Sequence, residues 1–176
     1  MKKQLGLFVL VIISISLFTI SCVSTANVKC ECSCDCGSCG CSVAVADFSG
    51  IPGKDWKLIE ARIEDKFRRE VLFDRKTLSR ENAGSIFILR LSDTAISGTA
   101  SPNAYTGTYT IGTNQSINIP PLRLTTLTSV FQPEKLRETD YINYLQSAYK
   151  WDFINGRLII SSKPEGGREI RLTFAP

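Results

Sequence analysis

The chain has 176 residues, 43% hydrophobic and 22% charged, an ordinary globular balance. Of its 21 basic residues Lys2 and Lys3 sit in a leader, so 19 stand against 17 acidic ones; the resulting charge near +2 is too weak to imply nucleic acid. There are no histidines, which excludes imidazole acid–base chemistry and histidine metal ligation, and all seven cysteines fall between Cys22 and Cys41, which leaves the rest of the chain without a thiol nucleophile or an internal disulfide.

Lys2 and Lys3 form a basic start, and residues 5–20 (LGLFVLVIISISLFTI) form an apolar run somewhat short for a stable membrane span. Small Ser21 directly precedes Cys22, which resembles a bacterial lipoprotein signal, with Thr19 where leucine is usual. The resemblance implies a diacylglyceryl thioether on Cys22, which becomes the first residue after cleavage. Acyl chains on this cysteine would hold the chain firmly to a membrane, since each buried CH₂ contributes about 0.8 kcal/mol. Val23 stands where an aspartate would mark inner-membrane retention, so the expected location is the cell envelope, leaning to the outer membrane.

Residues 28–42 read VKCECSCDCGSCGCS, with Cys30, Cys32, Cys34, Cys36, Cys39 and Cys41 inside twelve positions. Three readings stand. Thiolates at alternating positions share one side of an extended chain and suit soft Zn²⁺ or Cu⁺, similar to metallothioneins. Beyond the reducing cytosol the thiols would oxidise, with strained i, i+2 bridges giving way to longer or intermolecular ones. Or the tract is a plain tether. Between Cys30 and Ser42 it has no apolar residue besides its cysteines and is expected to be disordered without metal or bridges.

The expected organisation is a signal peptide over 1–21, a lipidated cysteine-rich tether over 22–50 and one domain over 51–176, long enough for a real core. Residues 56–63 (WKLIEARI) read as a strand whose inward residues, Trp56, Leu58, Ala61 and Ile63, slip phase once. A strand is expected around 71–73 within a charged stretch, and the strongest strand signal is 85–91 (SIFILRL). Residues 95–99 start another strand, with Gly98 at a bulge or close backbone approach. A turn follows at 101–103, where Asn103 suits positive φ. Residues 105–111 alternate, 112–115 loop back, and 116–119 return until Pro120-Pro121. A helix is expected over 140–149, with Thr139 as N-cap and Tyr141, Leu145 and Ala148 on one stripe. Residues 151–154 and 157–161 flank Asn155-Gly156, a type I′ hairpin signal, and 169–174 close the sheet.

Helix between strand runs, with hairpins throughout, predicts an α+β fold with antiparallel pairing. The order of parts resembles the META domain (HslJ-like) family over about residues 55–174. The resemblance is carried by Trp56-Lys57-Leu58, by Ile96-Ser97-Gly98 with Asn103, Tyr105, Gly107 and Tyr109, by Ser116 to Ile119 with Thr125-Thr126, by Tyr141 and Leu145, by Leu158-Ile159-Ile160, and by Leu172-Thr173-Phe174. It implies a strongly curved, mostly antiparallel sheet, an incomplete barrel, wrapped around one helix. It also implies an envelope-anchored or secreted protein linked to stress resistance, with no established catalytic site. The cysteine pair common in that family is replaced here by Pro102 and Ser129, so its bridge is absent.

The leading expectation for function is a lipid-anchored envelope protein whose domain binds a partner or a hydrophobic ligand, an acyl chain or peptide held between sheet and helix. The alternative is a Zn- or Cu-sequestering lipoprotein acting through Cys30 to Cys41. Catalysis is not expected: the carboxylate pairs Glu64-Asp65 and Glu138 with Asp140 lie in charged surroundings, and Ser97, Ser101 and Ser129 have no histidine partner.

Overall fold

Trp56, Leu58, Ala61 and Ile63 are all buried on one face of the first strand, β1 (Asp55–Glu64). The phase slip between Leu58 and Ala61 is a β-bulge, seen as a register shift between Leu58 and Glu60 in the pairing with the last strand, β11 (Ile170–Ala175). The computed structural model describes residues 47–64, 69–79, 84–127 and 131–176. Between β1 and β11 the chain forms β2 (Arg69–Asp74), β3 (Ile88–Leu91), β4 (Ala95–Thr99), β5 (Ala104–Thr108), β6 (Thr110–Ile111), β7 (Ile117–Asn118), β8 (Arg123–Leu124), α1 (Glu138–Gln146), β9 (Ala148–Ile154) and β10 (Arg157–Ser162).

All pairings are antiparallel. The main sheet runs β8-β5-β4-β3-β1-β11-β10-β9, with β2 also beside β1, and does not close into a barrel; β6 and β7 form a separate hairpin. This is a β-rich α+β fold with one α-helix among the described residues. Asn155 and Gly156 both take positive φ, 54° and 73°, in the β9–β10 hairpin, as the Asn-Gly pair requires.

One edge of β1 is shared by two partners. Asp55 to Lys57 pair with β3, and Glu60 to Glu64 pair with β2. Carbonyls at the change-over need another donor. Arg75, in a 3-10 turn directly after β2, supplies it: Nε donates to Leu58 O at 2.6 Å and Nη2 to Ile86 O at 2.7 Å. Its guanidinium also lies 5.8 Å from the centre of the Phe73 ring.

Several expected boundaries move, each for a tertiary reason. The strand expected from Ser85 begins only at Ile88, because Phe87 takes φ 51° and turns its ring onto Phe73 and Tyr141. The strand expected over 105–111 breaks at Tyr109, whose hydroxyl donates to Ser92 O and whose N–H donates to Thr94 O. Asn103 does not adopt positive φ; it is buried and tied by its side chain. The helix starts at Glu138 and ends at Gln146, with Arg137 rather than Thr139 as N-cap, and Asp140 accepts from the Arg137 N–H at 3.2 Å. Ala148 and Tyr149 belong to β9, where pairing with β10 overrides their helical spacing.

The core lies on the inner face of the sheet, where α1 packs with Tyr141, Ile142 and Leu145. Phe48, in residues assigned from sequence to the tether, packs edge-on against Trp151 at 4.9 Å and on Tyr109 at 5.8 Å. Burial pushes all five tyrosines above the usual phenol pKa: Tyr105 well above, Tyr109, Tyr141 and Tyr144 upward, and Tyr149 to about 12 with help from its hydrogen bond to Glu169. Below pH 10 the phenols are protonated both folded and unfolded, and their contribution to stability is fully present. Above it the unfolded chain ionises first, so stability falls as pH rises from 10 through the folded values, about 12 for Tyr149. Near-ultraviolet titration should therefore show less tyrosinate at pH 10 in the folded chain than in the unfolded one, and a cooperative rise on alkaline unfolding. A gradual rise centred on pH 10 would contradict this placement.

Candidate functional site

Cys22 and the tract Cys30, Cys32, Cys34, Cys36, Cys39 and Cys41 lie outside the described residues, as does the apolar run over 5–20. Among the described residues no three or more His, Cys, Asp or Glu side chains group so as to hold a metal. No helix among them is long and apolar enough to cross a membrane.

Ser97 lies half-buried in β4, while Ser101, Glu64, Glu138 and Asp140 have structural partners. Ser101 Oγ donates to Phe131 O at 2.9 Å. Glu138 is buried, and its carboxylate accepts from Ser101 N at 3.2 Å, Asn103 N at 2.8 Å and Asn103 Nδ2 at 2.8 Å. Asn103 Nδ2 also donates to Leu127 O, while Oδ1 accepts from Thr125 Oγ1 at 2.9 Å and Leu127 N at 2.6 Å. This knot fastens the β4–β5 turn to the β8 connection and to the start of α1. Ser101, Asn103, Thr125 and Glu138 each stand out in the sequence; Leu127 and the meeting of all five do not. Glu64 receives Arg62 at 2.6 Å, Arg171 at 3.5 Å and Arg69 at 3.6 Å; Asp65 and Ser129 lie outside the described residues.

The space between helix and sheet is filled by Phe87, Tyr105 and Tyr141. Tyr105 and Tyr141 hydroxyls lie 3.2 Å apart, and Tyr105 donates to Ile88 O at 2.9 Å.

The outer face of β1, β11, β10 and β9 carries a surface cleft of about 410 Å³. Register explains its lining. Glu60 is level with Thr173, Thr173 with Ile159, and Ile159 with Asp152; one row along, Arg62 is level with Arg171. The bulge in β1 adds Ile59 to the same side, so Ile59 and Glu60 both line the cleft. Ile159 is only 5% exposed and Thr173 9%, although both point away from the core, because longer neighbours stand round them. The floor is apolar, with Ile154 beside it, and the rim is Arg62, Arg157 and Arg171 with Glu60. Arg62 binds Glu60 and Glu64, and Arg171 binds Glu64. Arg157, exposed next to the Asn155-Gly156 turn, makes no ion pair and no side-chain hydrogen bond with any described residue. No signal in the linear sequence marked this cleft, since its residues come from four strands, β1, β9, β10 and β11.

No family model matches the chain, and no curated protein matches it. Among solved structures, the crystal structure of a DUF4847 family protein from Bacteroides vulgatus ATCC 8482 is similar at 14% identity, covering 73% of this chain and 95% of that one, with a TM-score of 0.48. The NMR structure of a protein from Burkholderia xenovorans is similar at 15% identity, covering 71% of this chain and 83% of that one, with a TM-score of 0.49.

Proposed function

We propose that the protein is a lipid-anchored component of a bacterial envelope, on the outer membrane, whose folded domain binds rather than catalyses. The observation that carries the anchor is Ser21-Cys22 at the end of an apolar run that begins after Lys2-Lys3. Binding is favoured over catalysis because Ser101, Glu138 and Asp140 are each committed to holding backbone groups in place. Growth with an alkyne analogue of palmitate should label the wild-type chain and leave Cys22→Ser unlabelled at precursor mass. Label retained on Cys22→Ser, or a mature N-terminus upstream of Cys22, would overturn the anchor.

The domain is read as META-like, its sheet strongly curved about the helix. Supporting this, residues that carried the resemblance from distant positions meet one another: Gly98 lies under Tyr105, Tyr105 reaches Tyr141, and Asn103 holds Thr125.

A second reading, sequestration of Zn²⁺ or Cu⁺, is favoured by one observation, six cysteines within twelve residues. Elemental analysis of the chain purified without chelators separates it from the first. Stoichiometric metal lost on replacing Cys30 to Cys41 supports sequestration; metal-free protein without free thiols removes it.

A further inference from the structure

We propose that the outer-face cleft is a binding site for a small amphipathic anion, a phosphate or carboxylate group carried on a compact apolar body. The inference rests on reading the domain as a binding module and is independent of whether Cys22 is acylated.

Three features of the cleft converge on this chemistry. The first is charge: three arginines and one glutamate line it, and Glu64 beside it is already shared among Arg62, Arg171 and Arg69. Positive charge is left over, and it is localised on Arg157, which has no partner among the described residues. A guanidinium presents a planar fork of donors that matches a phosphate or carboxylate. The second is pre-organisation. Arg62 and Arg171 are held by carboxylates at 2.6 and 3.5 Å, so their remaining donors are aimed before a ligand arrives. The third is the floor. An outward face of a sheet with one side on a core is ordinarily polar, yet Ile59, Ile159 and Ile154 stand together here. A bare inorganic anion would make no use of them; an anion with an apolar body would.

The β1 bulge builds this site. Without the extra residue Ile59 would turn inward or Glu60 would, and the cleft would lose either its apolar wall or its acidic one. Glu60 in turn sets a limit on the ligand. It disfavours a second negative group at that end, so the fit is to one anionic group near Arg157 and an uncharged remainder.

The anionic group has two sources, a soluble metabolite or the head group of an anionic lipid in the membrane that holds the chain. Phenyl phosphate is the probe for the shared chemistry. The full chain in phosphatidylcholine nanodiscs should bind it by calorimetry with a Kd of about 0.1–1 mM. Inorganic phosphate should bind at least tenfold more weakly. Arg157→Gln should lose about tenfold or more, Arg157→Lys less, and Ile159→Ser should weaken phenyl phosphate while leaving inorganic phosphate unchanged. Arg157 is exposed, so its variants keep the fold, and unchanged thermal midpoints check this. Phosphatidylglycerol in the nanodisc competing the probe away assigns the site to lipid head groups; undiminished binding there assigns it to a soluble anion. No heat with phenyl phosphate in phosphatidylcholine discs, or the same affinity in wild type and Arg157→Gln, overturns the proposal. Neither result bears on acylation of Cys22, which the palmitate label reads separately.

Discussion

Gly98→Ala should lower the midpoint of thermal unfolding by about 10–20 °C, at a cost of about 3–5 kcal/mol. Gly98 pairs with Leu89 on one side and Tyr105 on the other. A Cβ there would fall on the Ile88 carbonyl oxygen and within 2.5 Å of the Tyr105 hydroxyl. That hydroxyl crosses Gly98 to donate to Ile88 O and meets Tyr141 beyond it. The methyl group must therefore either part β3 from β4 or eject a fully buried phenol from its hydrogen bond. Both partners would be left unsatisfied in the core, which adds to the overpacking cost. Tyr105→Phe removes the hydroxyl contact but leaves the ring Cζ at 2.6 Å, and both variants give up the same hydrogen bond to Ile88 O, so the double variant should be less destabilised than the sum of the singles. A Gly98→Ala midpoint within about 2 °C of wild type would show that β4 and β3 are not packed as described.

Asn103→Ala should cost about 3–4 kcal/mol, with a fall in midpoint of about 10–15 °C. Asn103 spends its whole amide: two donations, to Glu138 and Leu127, and two acceptances, from Thr125 and Leu127. Alanine removes all four bonds in a site where Asn103 and Glu138 are both buried. The Glu138 carboxylate keeps its two backbone donors, Ser101 N and Asn103 N, and loses the third. Hydrogen exchange should show the connection over 125–127 opening first, since its Leu127 N–H and C=O both end on Asn103. Asn103→Ala combined with Glu138→Gln should be less than additive, because each breaks the same knot. Additive losses would mean that the two side chains act independently.

Much of the sheet was legible in the linear chain. Alternation placed Trp56, Leu58, Ala61 and Ile63 inward, and the Asn155-Gly156 pair placed a hairpin where one is found. Leu172 and Phe174 are buried on the face expected of them. The errors fall where a distant contact outweighs a local preference. Residues 85–87 have strong β character, yet Phe87 leaves the strand to stack on Phe73 and Tyr141. Ala148 continues the helical stripe, yet β9 claims it because its N–H and C=O groups find a ladder in β10. Asn103 was read as a turn residue suited to positive φ, when its side chain, not its backbone, does the holding.

The sequence by itself determined which residues of β1 and β11 face the core, where the Asn155-Gly156 turn falls, the lack of imidazole chemistry, and an apolar run that stops just before Cys22. These depend on periodicity, on backbone freedom at single positions and on composition, all local to a few residues. Only the tertiary structure decided where Arg75 sends its guanidinium, that Asn103 and Glu138 meet across 35 positions, and that Arg157 stands beside Ile159 and Thr173 with no partner among the described residues. Those outcomes depend on register between strands far apart in the chain. The phase slip in β1 announced a bulge, but which residues it would set beside Arg157 and Arg171 followed from the pairing of β1, β11 and β10.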